Sequence, residues 1–483
     1  MNYRAISFNI GRILAVEAAL LIFPAIGSII YRDGTLLSFA ITIAVLTVCS
    51  LAALSAKPKS RTLHARDGYV IVALSWILMS LFGALPFVLS GHMPNLFDAF
   101  FETVSGFTTT GSTCLRNVEA LPKSLLFWRS FTHWIGGMGI LVFVIAIMPK
   151  TDSSSMHVMR AEVPGPTVGK LVSKLSVSAR ILYGIYCVMT LIEIVMLALG
   201  GMPLFDSIVN SFATAGTGGS FAVLNKSIEG YNSLYAEMVI AVFMVLFGVN
   251  FNLYYFILIK QGKQAVKNEE LRWYLGIIGG ATLIIAGDLI LTKHSVGESF
   301  RYAFFQVSSI ITTTGFSTTN FDMWPVLSKA VIVLLMFCGA CAGSTGGGLK
   351  VSRIIILTKG SVREVRKAAN PRRVESVKID HHSVDESVVK SVFVYFAAEM
   401  FLIAVSTLLL CFEGRDLVTS FTAVLSCVSN VGPGLEAVGP AGNFADFSGL
   451  GKLLLSFDML AGRLELVPMF MLFSPLAWSK KYA

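Results

Sequence analysis

The residues of this chain best suited to chemistry are threonine and glycine, set four times in the same short hairpin. They read Thr109-Thr110-Gly111, Thr217-Gly218-Gly219, Thr313-Thr314-Gly315 and Asn430-Val431-Gly432. What such residues offer is oxygen without charge. A cation leaving water must keep oxygen ligands, and backbone carbonyls can replace its hydration shell. Glycine at the turn allows the positive-φ backbone that points successive carbonyls one way, and threonine adds hydroxyls. Each hairpin closes a longer repeat: Asp98 to Thr113, Asp206 to Ser220, Ala303 to Thr318 and Ser420 to Gly434. The first and third match best, Ala99-Phe100-Phe101-Glu102 against Ala303-Phe304-Phe305-Gln306, and the fourth is the most degenerate. A period of roughly 100 residues is too long for a solenoid and suits a duplicated unit. The plainer alternative is that these are four flexible loops.

Composition sets where such hairpins lie. The chain is 54% apolar and 14% charged, with a mean hydropathy of +0.72, whereas soluble domains carry about 25% charged residues. It reads as an integral membrane protein in a lipid bilayer. The first apolar stretch carries Glu17 and no small-residue cleavage site, so it reads as a retained helix. Seven scattered cysteines, most of them in apolar segments, argue against a disulfide framework. The net charge of +9 falls in loops between apolar stretches, a membrane orientation signal rather than a nucleic-acid surface. No nucleic-acid partner is expected.

A spanning helix needs about 20 mostly apolar residues, and ten stretches come close. Ile13 to Ile30 and Leu36 to Ala56 precede the first repeat. The hairpins are then led by Tyr69 to Leu89, Ile181 to Leu199, Tyr274 to Leu291 and Val388 to Cys411. They are trailed by Leu125 to Met148, Ala236 to Ile259, Val326 to Leu357 and Leu453 to Ala477. This gives an N-terminal two-helix unit (1–66) and four repeats (67–150, 151–270, 271–378 and 379–483). The segments before the hairpins are too short to cross a bilayer, and non-helical backbone at that depth must be buried in protein or line water. Each is expected to be re-entrant. The fold class expected is therefore all-α, with four span–pore-loop–span repeats around one pseudo-fourfold pore.

Lys57, Lys59, Arg61 and Arg66, then Lys150, Arg160, Lys170, Lys174 and Arg180, mark one side. Lys260, Lys263, Lys267 and Arg272 belong to it too, as does the run Lys359, Arg363, Arg366, Lys367, Arg372, Arg373 and Lys378. Such loops are cytoplasmic by the positive-inside bias. Arg4, Arg12, Lys480 and Lys481 put both termini there, and the hairpins open outward. The short helices would aim their negative C-terminal ends at the axis, which favours a cation.

Beyond the hairpins, five segments carry a family resemblance: Phe127 to Gly139, Arg160 to Pro166, Cys341 to Lys350, Ser429 to Gly434 and Met459 to Glu465. With them the chain resembles the Trk/Ktr/HKT superfamily of potassium transport proteins, from Tyr69 onward. The two extra N-terminal spans are similar to the TrkH/TrkG branch. The resemblance implies K⁺ as the transported ion, since glycine stands at all four filter positions, and no organic cofactor on this chain. It further implies a homodimer in the cytoplasmic (inner) membrane, with a cytosolic nucleotide-binding regulatory subunit, TrkA/KtrA-like, docked on basic inner loops around Lys359 to Lys378. The degenerate second and fourth hairpins imply a ring that is not truly fourfold.

The span after the third hairpin differs in composition. Residues 339–348 read Gly-Ala-Cys-Ala-Gly-Ser-Thr-Gly-Gly-Gly, and consecutive glycines lower helix propensity by about 1 kcal/mol each. The helix should break there and leave a loop able to plug the pore. By resemblance this loop is the gate, formed by Gly343, Ser344, Thr345, Gly346, Gly347, Gly348 and Lys350 with Arg463 beneath the filter. A phosphate-binding loop does not fit, because Lys350 does not directly follow the last glycine and no Ser or Thr follows it. Cys338 and Cys341 lack a second ligand pair. Arg463, costly inside a span unless paired or wet, either repels cations or pairs with Asp458, Glu465 or the loop. Glu193 and Glu399 sit within spans, where packing-side partners are the favoured reading; they are also the residues a Na⁺- or H⁺-coupled symporter would need. His133 reads as a packing residue, His381 and His382 as a solvated pair. Side chains for an enzyme's active site are not clustered at any one depth.

Overall fold

The computed structural model describes residues 1–57, 64–139, 175–292 and 295–478. Its regular secondary structure is helical apart from one short hairpin, Lys378–Ile379 against His382–Ser383. The basic positions at 59, 61, 150–174 and 480–481, the Arg160 to Pro166 motif and residues 140–148 of the span expected to end at Met148 lie outside the described residues.

Six described helical spans are long and apolar enough to cross a membrane: Tyr3–Tyr31, Leu36–Ser55, Arg66–Leu89, Val177–Leu199, Glu269–Leu291 and Glu386–Cys411. These are the two N-terminal spans and all four leading spans. The expected ten are not ten continuous helices, because the trailing spans break. Lys123–Gly137 ends at Met138. Leu234–Phe247 and Phe251–Leu258 meet at 91°. Val326–Cys338 gives way to the Gly-rich loop before Val351–Ala369. Gly449–Arg463 stops before Val467–Phe473, with Glu465 and Leu466 at positive φ. Only the third break was expected.

At the first and fourth breaks the trailing helices approach the short ones closely. A Cβ on Gly136 would run into the carbonyl of Phe107, and one on Gly462 into the carbonyl of Val428. Small residues let helix backbones approach this closely where lipid supplies no hydrophobic drive. The same glycines weaken the helix just there.

The short helices are Leu96–Phe107, Leu204–Gly216, Val296–Ile311 and Leu417–Ser429. Three begin on side-chain caps, Asn95, Ser295 and Asp416, each accepting a backbone N–H of the first turn. The units then close into a ring. Arg129 of the first reaches Ala222 O of the second at 3.3 Å. Ser220 N of the second bonds Thr314 O of the third at 3.3 Å. Asp322 of the third accepts Glu436 N of the fourth. Phe444 N of the fourth bonds Thr113 O of the first at 2.8 Å, and the buried Lys452 ammonium pairs with Asp98 at 2.6 Å.

The N-terminal pair is tied to this ring outside its spans by Asp33, whose carboxylate accepts from Ser28, Thr35 and the backbone N–H of Ser124. Burial alone would raise its pKa, but these hydrogen bonds hold it at about 2, below the ordinary 3.8. A depressed carboxyl pKa adds stability above the unfolded value and loses it as pH falls through the folded one. Thermal melts of the purified chain should therefore lose stability between about pH 4 and about pH 2, and Asp33→Asn should flatten that part of the profile.

Candidate ion-conduction site

Each short helix ends the same way. The residue two before the anchor glycine is left-handed in all four repeats: Thr109 (φ 58), Thr217 (φ 56), Thr313 (φ 58) and Asn430 (φ 55). The next N–H then reaches back to the helix, from Thr110 to Ser105 O, Gly218 to Ala213 O, Thr314 to Ser309 O and Val431 to Ser426 O, at 2.8–2.9 Å. This is the Schellman closure. It commits the N–H groups backward and frees the hairpin carbonyls to face elsewhere. Three β-branched threonines at positive φ are costly, and strain of that kind is tolerated where the surroundings over-determine it. Asparagine adopts the left-handed region readily, which lets the degenerate fourth hairpin keep the geometry. All twelve hairpin residues are buried.

The anchor glycines are not equivalent. Gly111, Gly315 and Gly432 have φ of 87°, 85° and 104°. Gly219 does not share that conformation, contrary to the single role expected for all four. It must be glycine for another reason, since a Cβ there would enter the ring of Phe316. His133 packs behind this hairpin, against Gly218 and 4.3 Å from the Phe221 ring, as a packing residue should.

Behind the first hairpin Glu102 holds several groups at once. Its carboxylate accepts from Thr113 Oγ1 (2.9 Å) and Cys114 N (3.0 Å) and pairs with Arg129 Nε at 2.6 Å. Arg129 in turn lies over the Phe221 ring of the second hairpin at 3.6 Å. Neither role was deduced from the sequence. An acid inside a half-apolar re-entrant segment, at the position where the third repeat has Gln306, was the available signal.

The loop 339–350 lies directly against the hairpins. Thr217 Oγ1 donates to Thr345 O at 3.1 Å, Thr313 Oγ1 accepts from Gly347 N at 2.7 Å, and a Cβ on Gly347 would meet Asn430. Lys350 folds its ammonium back onto Gly346 O. Arg463 donates to Thr345 O at 2.9 Å and, through its other nitrogen, to Gly136 O and Gly137 O at 2.7 and 2.8 Å. Of the partners expected for Arg463, the loop is observed. Asp458 accepts from Ser406 at 2.8 Å, and Glu465 pairs with Arg353 at 2.6 Å. The loop also leans on the second break, with Cys341 N on Gly248 O and Gly343 O accepting from Phe251 N, both 3.0 Å. Glu270 was not expected here. Its carboxylate accepts from Ala342 N (2.7 Å) and Ser352 N (3.0 Å), clasping the loop at both ends.

Of the acids expected for a coupled carrier, Glu193 is buried beside Thr214 and Glu399 beside Arg353. Among the described residues no group of three His, Cys, Asp or Glu side chains is placed to hold a metal ion.

Residues 36–482 match the family model for the TrkH cation transport protein. This chain belongs to the TrkH family. It is 36% identical to the Trk system potassium uptake protein TrkH of Salmonella typhimurium, over 99% of this chain and 100% of that protein. Against Trk system potassium uptake protein TrkG of Escherichia coli it is 32% identical, over 99% of both. The crystal structure of the potassium transporter TrkH from Vibrio parahaemolyticus superposes with a TM-score of 0.89 at 33% identity, covering 99% of this chain and 100% of that one. The TrkH family member described here is thus an all-α, multi-pass membrane transport protein rather than an enzyme.

Proposed function

We propose that this chain carries potassium inward across the cytoplasmic membrane through the ring of four hairpins. The supporting observation is the shared left-handed closure of four helix ends facing one another, which leaves oxygen rather than charge to meet the ion. A dehydrated K⁺ would be held by carbonyls and hydroxyls of Thr109 to Gly111, Thr217 to Gly219, Thr313 to Gly315 and Asn430 to Gly432. The loop carrying Gly343 to Gly348 and Lys350, cross-tied by Arg463, would then be the gate; its contacts with the second, third and fourth hairpins support that reading, because they would have to open for an ion to pass. The kinship with Trk system proteins supports a homodimer, inward-facing termini and control by a cytosolic nucleotide-binding TrkA/KtrA-like subunit on the exposed basic surface of Val351–Ala369 and the Lys378–Ser383 hairpin.

Flux of radiolabelled Rb⁺ and Na⁺ into liposomes holding the purified chain, with and without its partner, tests this. Wild type should pass Rb⁺ over Na⁺, and Gly315→Ser should reduce that preference at least about tenfold, because Gly315 needs φ 85° and has no room for a side chain. An unchanged preference would remove the hairpins from the ion path. Rb⁺ flux that requires Na⁺ or a proton gradient would instead assign coupling to Glu193 and Glu399.

A further inference from the structure

We infer that Ser220 sets an oxygen of its own on the ion path at the outer end of the hairpin ring, as a ligand for an entering alkali cation. The inference rests on the reading of the hairpins as the ion filter.

The residues following the four anchor glycines are Ser112, Ser220, Phe316 and Pro433. In the ring the second repeat adjoins the first and third and faces the fourth across the axis. Ser220 touches all three. Its hydroxyl donates to Gly315 O at 3.1 Å, and a Cβ built on Gly111 would lie 3.0 Å from its Oγ. A Cβ on Gly432, in the opposite repeat, would collide with the same oxygen. A side chain that meets the opposite repeat as well as both neighbours lies at the axis. It is half-buried and lines a cavity of about 160 Å³ together with Gly111, Gly315 and Gly432.

With its proton given to Gly315, the serine oxygen keeps both lone pairs. The outer carbonyls are less free. Gly315 O accepts from Ser220, and Gly432 O accepts from Ser112 Oγ at 3.0 Å. Phe316 and Pro433 bring no side-chain oxygen. Ser112 carries the other hydroxyl at this level, bonded to Gly432 O and set beside Cys427 Sγ, so the Ser220 hydroxyl is the one that reaches both neighbours and the opposite repeat where an ion first sheds water.

The test uses the full chain in liposomes. Ser220→Ala should raise the half-saturating Rb⁺ concentration about tenfold, the scale of one lost polar contact to a charge, while leaving maximal flux near wild type. Ser220→Cys, followed by mass shift with a small cationic thiosulfonate and with wild type as background, should react from outside and be protected by K⁺ but not by choline. Protection does not depend on the gate, and a serine that only braces the ring would not produce it. If Gly315→Ser destroys the Rb⁺ preference while Ser220→Ala saturates like wild type or the cysteine is unprotected, the hairpins stand and this inference falls. If Gly315→Ser keeps the preference, the hairpin reading falls first and takes this one with it.

Discussion

Glu102→Gln should destabilise the protein by about 3–5 kcal/mol, the loss expected when one partner of a buried ion pair is removed and the other stays charged. Both side chains are almost wholly buried, at 0% and 1% exposure. Arg129 cannot shed its charge by deprotonation, and the neutral amide would leave its guanidinium facing Phe221 and Ala222 O. The same change weakens the acceptor for Thr113 and Cys114, so the first hairpin should loosen and Rb⁺ preference over Na⁺ should drop with the melting temperature. Arg129→Met should reach the same result from the other side. The double variant Glu102→Gln/Arg129→Met should melt above either single variant, because exchanging a whole buried pair for uncharged groups is often near neutral. Melting of the purified chain in detergent, run as a double-mutant cycle, measures the coupling. Singles that melt like wild type would mean the pair does not brace the hairpin.

The position of that pair shows what sequence reading can and cannot reach. The hairpins were legible because they recur: local turn chemistry repeated four times survives even the change from Thr313-Thr314 to Asn430-Val431. The leading spans were legible because they are continuous and apolar. The trailing spans were not, since a window of hydropathy passes over Gly136-Gly137 or Gly248, and the contacts that require these glycines, with Phe107 or with another repeat, leave no local pattern. Only residues 339–348 carry enough glycine to announce themselves. Glu102, Ser220 and Glu270 were invisible as site residues for a related reason. Each acts on a partner far away in the chain, Arg129, Gly315 or the loop, and no spacing rule connects them. Equivalence between repeats also misled at Gly219, where the same residue type serves packing against Phe316 rather than a left-handed turn.

The second large effect is expected at the loop. Arg463 ties Thr345 O to Gly136 O and Gly137 O with one planar group, so it joins the third, first and fourth repeats beneath the hairpins. It acts in two ways. One charge-assisted bond holds the loop at Thr345 while two anchor the guanidinium to Gly136 and Gly137, and a fixed charge opposes a passing cation by about 3 kcal/mol at about 5 Å with an effective dielectric near 20. Arg463→Ala removes both and should raise Rb⁺ flux of the chain without its partner at least about tenfold. Arg463→Lys separates them, because an ammonium keeps the charge but cannot reproduce the fork. A leaky lysine variant assigns the closed state to the bonds, and a tight one assigns it to the charge. Glu270 supplies an independent arm. Glu270→Ala takes away the acceptor shared by Ala342 N and Ser352 N, which should free the loop and raise flux. Glu270→Gln keeps an oxygen in the same place and should stay closer to wild type. If Arg463→Ala and Glu270→Ala both fold, assemble and conduct as wild type does with and without the partner, the 339–350 loop is not what closes the path.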